Sequence, residues 1–572
     1  MPWFSLCHTI RVMAKMWKMM PPAPAGFEAT LGLPRVQAQL LFNRGVKTAE
    51  DAANLLSTDP GPDYDPTLLP DMDAAVHRIE SALDSGETIG IFGDFDTDGI
   101  TGTALMVKAL RALGANVVPY LPDRVDEGHG LNPDALQQLR QQGVTLLITV
   151  DCGATAVDEI GIAHDLGIDT IVTDHHTIHG DFPAAVALID PKRHDSEYPY
   201  SELTGVGMAY KLVEALHEAV GGEPADDLLE LVALGTVADV GPLTGENRHF
   251  VREGLKRINS SSNLGIRALS AVARMTIGAI DTSSLSFGLI PRLNAAGRLG
   301  SAETSFELLT TDDETRARTL AEQLERYNRD RQELTARGID EAESMLSKRH
   351  PAGTPPVIVV GDKSWQPGIL GLIAGRLCEA HYRPAIAVQV GDEICRASGR
   401  SIAEFDIVDA LAGVDEEFVK FGGHARAAGF TIRTEQMREL VRKLTEAAGA
   451  RVDGLEPHQE LTVDMAALPS EVAGQNFQFI QKLAPFGAEN PSPVFVAEGV
   501  TVLDARAVGN GRHLKLKLRD GGAAWDAIAF GQGSQVDAVR GGVDIAYGME
   551  HNTWQGRTNI QLVIEDLRPA GR

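Results

Sequence analysis

Three carboxylates fall within five residues in Gly93-Asp94-Phe95-Asp96-Thr97-Asp98-Gly99. In a buried pocket they would repel one another, and a buried charge without a partner is strongly unfavourable, so a cation is the simplest remedy. An all-oxygen set of ligands suits Mg2+ or Mn2+. An exposed acidic turn or a calcium loop competes for this stretch taken alone. Against the calcium loop, Ile100 and Thr101 start a helical pattern and no glutamate closes a twelve-residue frame. Further acidic and imidazole groups stand where other apolar runs stop: Asp151 after Leu146–Val150, Asp174-His175-His176 after Thr170–Thr173, and Asp239 after Leu231–Ala238. Asp94, Asp96, Asp98, Asp151, His175, His176 and Asp239, with Asp174 behind them, could hold two divalent ions about 3.5–4 Å apart with one bridging carboxylate. Such a pair readies water for attack on a phosphate ester, and histidine makes Mn2+ at least as acceptable as Mg2+. His176 is the candidate for steadying a non-bridging phosphate oxygen or the leaving oxygen. Taken singly, Asp239 reads equally well as a helix C-cap and His176 as a packed core residue.

These groups need a scaffold that brings distant stretches together. Thr88–Phe92, Asn116–Tyr120, Thr145–Val150, Asp169–Thr173 and Ala185–Ile189 read as strands. Helical patterns at Thr101–Leu113, Asp134–Gln141 and Val157–Leu166 alternate with them. That alternation predicts a mostly parallel sheet covered on both faces, with ligands beyond the carboxyl ends of its strands, where the acidic clusters fall. A long helical stretch at 300–347 reads as a connector, and a second α/β unit begins near Pro356–Val360. From about Leu461 short strands separated by glycine-rich turns suggest a small barrel. The organisation expected is an N-terminal helical region (1–70), an α/β catalytic domain with a mostly parallel sheet (71–262), connector helices (263–350), a second α/β domain (351–455) and a C-terminal β-barrel (456–572).

The chain has 572 residues and a net charge of -27, a field that opposes a polyanion unless a local basic groove or bound metal offsets it. No stretch approaches the roughly 20 apolar residues of a membrane span. Met1–Met20 is interrupted by Arg11, Lys15 and Lys18, which reads as a disordered lead or a start codon placed too far upstream. The four cysteines are widely spaced and form no CxxC pair, so neither a zinc knuckle nor a disulfide framework is indicated, and a reducing, cytoplasmic setting fits.

Asp94-Phe-Asp-Thr-Asp-Gly99, Asp151, Asp174-His175-His176 and Asp239 together resemble the DHH phosphoesterase superfamily. Arg396-Ala-Ser-Gly-Arg-Ser401 and Gly422-Gly423-His424-Ala-Arg-Ala-Ala-Gly429 resemble its DHHA1 domain. The resemblance covers nearly the whole chain and is greatest to the bacterial RecJ family of single-strand-specific 5′→3′ exonucleases. Leu41-Phe-Asn-Arg-Gly45, Pro291-Arg-Leu-Asn-Ala-Ala-Gly-Arg298 and the barrel support it. It implies metal-site roles for Asp94, Asp96, Asp98, Asp151, His175 and Asp239, with Asp151 bridging and His176 beside the reacting phosphate. Asp98, Asp151 and His176 are then the catalytic residues. Many members carry tyrosine at the Phe95 position and an apolar residue at Thr97, and neither change removes a ligand.

In the second lobe Ser398, Gly399, Arg400 and Ser401 read as one phosphate-binding loop, a backbone nest with guanidinium and hydroxyl donors. Gly422, Gly423 and His424 offer a second close approach, and Arg292 and Arg298 add charge, unless these arginines form ordinary ion pairs. The resemblance implies that this lobe closes over the metals and captures a terminal 5′ phosphate. The barrel resembles an OB-fold platform for single strands, with Arg512, His513, Lys515, Lys517, Phe530, Trp554 and Arg557 as candidates. The expected function is removal of 5′-mononucleotides from single-stranded DNA with two Mn2+ or Mg2+ ions, in recombination and repair. Single-strand-binding protein and a RecQ-type helicase are the partners the resemblance implies, with no membrane association. A phosphodiesterase for short oligonucleotides or cyclic dinucleotides, and a nonenzymatic DNA-binding scaffold, are the rival readings.

Overall fold

The computed structural model describes residues 15–57, 61–178, 180–222, 225–351, 353–414, 418–452, 459–539, 541–554 and 557–571. Strands β1 (Thr88–Gly93), β2 (Asn116–Tyr120), β3 (Val144–Val150), β4 (Asp169–Thr173) and β5 (Ala187–Ile189) form one parallel sheet in the order β2-β1-β3-β4-β5. The β1 run Ile89–Gly93 is buried throughout, as a central parallel strand covered on both faces must be. From β1 the chain crosses to β2 on one side and then to β3 on the other. The carboxyl ends of β1 and β3 therefore splay their loops apart, which opens a crevice between them.

Helix α1 (Thr97–Ala112) starts at Thr97, four residues before the sequence pattern suggests. The reason is local: the Asp96 side chain accepts the N–H groups of Asp98 and Gly99 and caps the helix. Helices α2 (Gly205–Ala219) and α3 (Leu229–Ala238) pack on α1. Helix α3 is buried almost all round, which explains its apolar sequence without a polar stripe.

Helix α4 (Ile290–Leu299) leads to α5 (Glu314–Arg349), 36 residues and so roughly 54 Å long. The first half of α5 contributes Ala317, Leu320, Ala321 and Leu324 to the catalytic core, and its second half contributes Ala342 and Leu346 to the next core. The connector is thus a strut shared by two hydrophobic cores. The second lobe has strands β6 (Ile358–Asp362), β7 (Ala385–Val390), β8 (Ile394–Arg400), β9 (Phe418–His424) and β10 (Ala427–Arg433), in the order β9-β10-β8-β7-β6. Helix α6 (Pro367–His381) packs on β7 and β8.

At the C-terminus Phe495–Val508, His513–Asp520, Ala523–Ala529, Arg557–Pro569 and Gly542–Trp554 follow one another around a ring that closes on its first strand. Phe27, Val36, Leu40 and Leu41 from the first helices share a core with Leu514, Leu516, Tyr547 and Leu562 of this barrel. The two ends of the chain therefore form one packing unit, which no sequence pattern announces. Lys15–Met19, expected as part of a disordered lead, is instead a strand paired in parallel with Gln459–Val463. The Trp17 indole N–H donates to Asp566, and Arg568 stacks over the Trp17 ring at 4.0 Å. Among the described residues no helix is long and apolar enough to cross a membrane, and Cys152, Cys378 and Cys395 are buried and unbridged.

Candidate metal centre and phosphate cleft

Strand register assembles the acidic cluster. Gly93 pairs with Val150 and Val150 with Thr173, so Asp94, Asp151 and Asp174 emerge side by side beyond three adjacent strand ends. Asp151 sits in the left-handed region at φ 62°, an uncommon state for a residue with a Cβ, and its N–H donates to the Thr173 carbonyl at 3.0 Å. Asp98 is fixed from the first turn of α2, where the Gly205 and Val206 N–H groups donate to its two oxygens at 2.7 and 3.0 Å. Two glycines make room for these carboxylates. A Cβ on Gly205 would lie 2.4 Å from Asp151 Cβ, and one on Gly235 would lie 2.6 Å from Asp98 Oδ1.

Ligand-type atoms gather in three overlapping groups, each within 4.8 Å: Asp94, Asp96 and Asp151; Asp98, His175 and Asp239; and Asp151, His175 and His176. The shared residues Asp151 and His175 join them into one centre. His175 Nε2 lies 3.1 Å from Asp151 Oδ1 and 3.8 Å from Asp239 Oδ2. Asp239 is both the C-cap of α3 and a member of this centre, so the two readings of it are compatible. Asp94 Oδ1 is buried without a hydrogen-bond partner, while Asp94 Oδ2 lies 2.8 Å from His129 Nδ1.

The electrostatics suit a divalent cation. Burial raises Asp98 and Asp151 well above the ordinary carboxylate range, with repulsion from Asp239 and Asp98 respectively as the next cause. Asp96 is raised by burial and by Asp94, and Asp239 by burial and by Asp96, to about 6. Desolvation and the neighbouring His176 push His175 down to about 3, so its ring is neutral and able to ligate. His176 moves the other way, up to about 9, because its Nδ1 meets Asp174 Oδ1 at 2.7 Å. Burial would raise Asp174, but the His176 ring and the Ala154 N–H outweigh it and hold this carboxyl below its usual value. An orphaned oxygen, mutually repelling carboxylates and a neutral imidazole together make a donor set suited to divalent cations.

A cluster of cations faces these acids. Arg124 lies 4.0 Å over the Phe95 ring, and its buried Nε has no partner. Arg298 is pushed down to about 9 by desolvation and by Arg124, Arg331 and Arg400, and among the described residues its side chain donates one hydrogen bond, to the Gly368 carbonyl at 3.0 Å. Among the described residues Arg400 donates only to its neighbour's carbonyl and, at 3.4 Å, to Ser398. His424 on exposed β9 feels both Arg400 and His176, so the second lobe reaches the metal side of the cleft. Lys420 closes the gap further by donating to the Glu127 carbonyl at 2.6 Å.

Several expectations change here. Ser398, Gly399 and Arg400 lie on strand β8 and not in a loop, and their backbone pairs with β7 and β10, so no nest of free N–H groups exists. Ser401 follows the strand, buried, with its hydroxyl donated to the Phe405 carbonyl at 2.5 Å, which removes it as a phosphate donor. Arg292 forms the ordinary ion pair, 2.7 Å to Glu325 of α5. Gly422 and Gly423 lie on the edge strand β9, paired with Gly429 and Ala428. In the barrel Lys515 and Lys517 alternate with buried Leu514, Leu516 and Leu518, so their side chains share the outer face. Arg512 is exposed beside them, and Phe530 is exposed with its ring edge-on to His513. The side chains of Trp554 and Arg557 lie outside the described residues.

Sequence reading missed Arg124, His129 and Asn294. The first two lie in the loop after β2, with no spacing or periodicity to mark them. Asn294 Oδ1 accepts the Thr97 N–H at 3.1 Å and ties α4 to the acidic loop. It stands inside a motif singled out for its arginines.

Residues 88–236 match the DHH family, N-terminal domain, residues 354–450 the DHHA1 domain, and residues 463–566 the RecJ OB domain. The single-stranded-DNA-specific exonuclease RecJ of Bacillus subtilis (strain 168) is 36% identical over 92% of this chain and 67% of its own length. The protein of that name from Escherichia coli (strain K12) is 34% identical over 94% of this chain and 96% of its own. The crystal structure of RecJ in complex with Mn2+ from Thermus thermophilus superposes with a TM-score of 0.80 at 32% identity. That match covers 97% of this chain and 80% of that one. With identity of this extent, three matching domains in order and the same architecture, the chain belongs to the RecJ family.

Proposed function

We propose that this protein is a metal-dependent exonuclease that degrades single-stranded DNA from the 5′ end and releases 5′-mononucleotides, in DNA recombination and repair. The observation that carries the reading is the meeting of two clusters in one cleft: mutually repelling carboxylates gathered as ligand-type groups, and buried arginines that face them. Asp94, Asp96, Asp98, Asp151, His175 and Asp239 would hold two divalent ions, Mn2+ or Mg2+. When bound, such a pair supplies an activated water and positive charge to offset that developing on the phosphate.

The chain's own residues do the remainder. Asp98 and Asp151, held by α2 and by the β4 carbonyl, keep their oxygens aimed into the cleft. His176, fixed through Nδ1 by Asp174, presents Nε2 towards a phosphate or leaving oxygen. Arg298, Arg400 and Arg124 supply a fixed anion site between the lobes, suited to a terminal 5′ phosphate. An anchored end phosphate determines which ester reaches the acids, and that gives 5′→3′ polarity. Ser398 and His424 stand beside Arg400 as further donors. The outer face of the barrel, with Arg512, Lys515 and Lys517, tracks the strand further along. The family resemblance also proposes single-strand-binding protein and a RecQ-type helicase as partners, and a cytoplasmic location.

The decisive experiment is a Mn2+-dependent nuclease assay on a 5′-labelled length series of single-stranded DNA. Asp151→Asn and His175→Ala should each abolish hydrolysis with the circular dichroism unchanged and most DNA binding retained. Full turnover in either variant would defeat the assignment. Arg400→Gln should lose the preference for a 5′-phosphorylated end over a 5′-hydroxyl end; an unchanged preference would remove it from the anchor.

A further inference from the structure

Lys420 is exposed, yet its ammonium group is held. Nζ donates at 2.6 Å to the carbonyl of Glu127, in the catalytic domain, and rests on Gly128 so closely that a Cβ there would collide with it. Gly128 stands at φ 85°, so backbone conformation and space both call for glycine. The bond crosses the cleft and joins the second lobe to the loop after β2. Its two ends are each set by local structure. In the edge strand β9, Phe418 pairs with Ile432 and Lys420 with Thr431, which leaves Val419 as an extra residue, a β-bulge. Opposed residues share a face and successive ones alternate, so the bulge turns Lys420 away from the face of Phe418. Phe418 and Phe421 stay on the core side, stacked at 5.2 Å, with Phe418 edge-on to buried Phe430. Lys420, Gly422 and His424, paired with Thr431, Gly429 and Ala427, share the opposite face. Without the extra residue Lys420 would point into the core of its own lobe.

On the catalytic side Glu127 is the hub of its loop. Its carboxylate accepts from the Tyr120 hydroxyl at 2.8 Å, the Asp123 N–H at 2.8 Å and the Asn132 amide at 2.9 Å. The N–H groups of Glu127 and Gly128 donate to the Asp123 carbonyl at 3.0 and 2.9 Å. Bonded to itself in this way, the loop shifts as a unit. It carries Arg124, whose guanidinium lies over the Phe95 ring, and His129, whose Nδ1 is 2.8 Å from Asp94 Oδ2. A displacement of Glu127 therefore reaches both.

We propose that Lys420 is a positioning residue for the 5′-phosphate anchor. Its hydrogen bond to the Glu127 carbonyl sets the loop that presents Arg124, so a phosphorylated end is held firmly only when the second lobe is seated on the catalytic domain. In this role Lys420 acts through the loop and not on the strand. This inference rests on the exonuclease reading above, with Arg124 in the anchor.

The test is a double-mutant cycle on the full chain with Mn2+, read as end discrimination: kcat/KM for a single strand with a 5′ phosphate divided by kcat/KM for the same strand with a 5′ hydroxyl. Arg124→Gln should lower this ratio, and Lys420→Met should lower it about tenfold, the scale of one charge-assisted hydrogen bond. The double variant should lie no lower than Arg124→Gln alone, because a loop without Arg124 has nothing left to present. Lys420→Arg keeps a cationic donor and should restore most of the ratio. A lysine that instead neutralised a phosphate of the strand would, when removed, weaken both substrates alike and reduce the slope of log affinity against log salt by about one. Lys420→Met should leave that slope unchanged. An unchanged ratio in Lys420→Met, additive losses in the double variant, or a salt slope reduced by about one would each overturn the proposal. Full discrimination in Arg124→Gln, or a wild type that degrades neither strand, would instead sink the anchor or the exonuclease reading on which it rests.

Discussion

Gly205 shows how little room the carboxylates have. It is the first residue of α2, where alanine would ordinarily favour the helix by up to about 1 kcal/mol. Its missing Cβ is nevertheless the space that Asp151 occupies. Gly205→Ala should lose at least about tenfold in Mn2+ affinity by calorimetry, the scale expected when a metal ligand is displaced by its surroundings, and should also melt below wild type in EDTA, because the new Cβ would collide with Asp151 Cβ and not with a flexible side-chain end. Normal affinity would mean that Asp151 can move aside without loss. Val240 is the opposite case, a β-branched residue at φ 59° where glycine would fit, one position beyond Asp239 and 69% exposed. It closes α3 in a motif where the Gly241 N–H reaches back to the Thr236 carbonyl. Val240→Gly should raise stability to urea by about 1 kcal/mol through relief of the left-handed strain. Equal or lower stability would show that this backbone carries no such cost.

At the scale of elements, the site is made where strands and helices end. The sequence shows this for Asp94–Asp98, Asp151, Asp174–His176 and Asp239 because each follows an apolar run whose length and alternation betray its secondary structure. Arg124 and His129 give no such signal. They reach the centre because the loop after β2 folds over β1, a tertiary event with no period in the sequence. Ser398–Ser401 reads as a loop because glycine and serine mark turns, yet Ser398–Arg400 sit on an inner strand crowded by α6 and Ser401 follows it. A Cβ on Gly371 of that helix would lie 3.1 Å from Arg400 and from Ser398. Helix α4 meets the acidic loop at two places, Asn294, which accepts the Thr97 N–H, and Gly297, which packs on the Phe95 carbonyl. Asn294→Ala should weaken Mn2+ binding by roughly tenfold, as loss of groups behind metal ligands does, with little change in melting temperature in EDTA. Unaltered metal affinity would show that Asp96 alone sets the loop.

For the whole molecule, the carboxylate cluster couples folding to pH. Where native carboxylates titrate above the roughly 3.9 of an unfolded chain, the native state binds more protons in between, so stability falls as pH rises through that window. Asp239 extends the window to about 6, and Asp96, Asp98 and Asp151 are raised in the same direction. In EDTA the wild type should therefore lose more stability between pH 4 and pH 7 than Asp239→Asn does, and the rise in melting temperature on adding Mn2+ should grow with pH. Parallel curves for the two proteins would refute the coupling. The same scale reveals the role of Lys15–Met19. Met19 and Met20 lie at the end of that strand and just after it, so initiation at Met19, or an expression clone trimmed to begin at Met20, removes most or all of it. The edge of Gln459–Val463 is then left bare, with its N–H and C=O groups free to recruit another molecule. Such a shortened product would be expected to self-associate on size-exclusion chromatography while still digesting DNA, and a purification handle fused directly ahead of Lys15 would crowd the same seam.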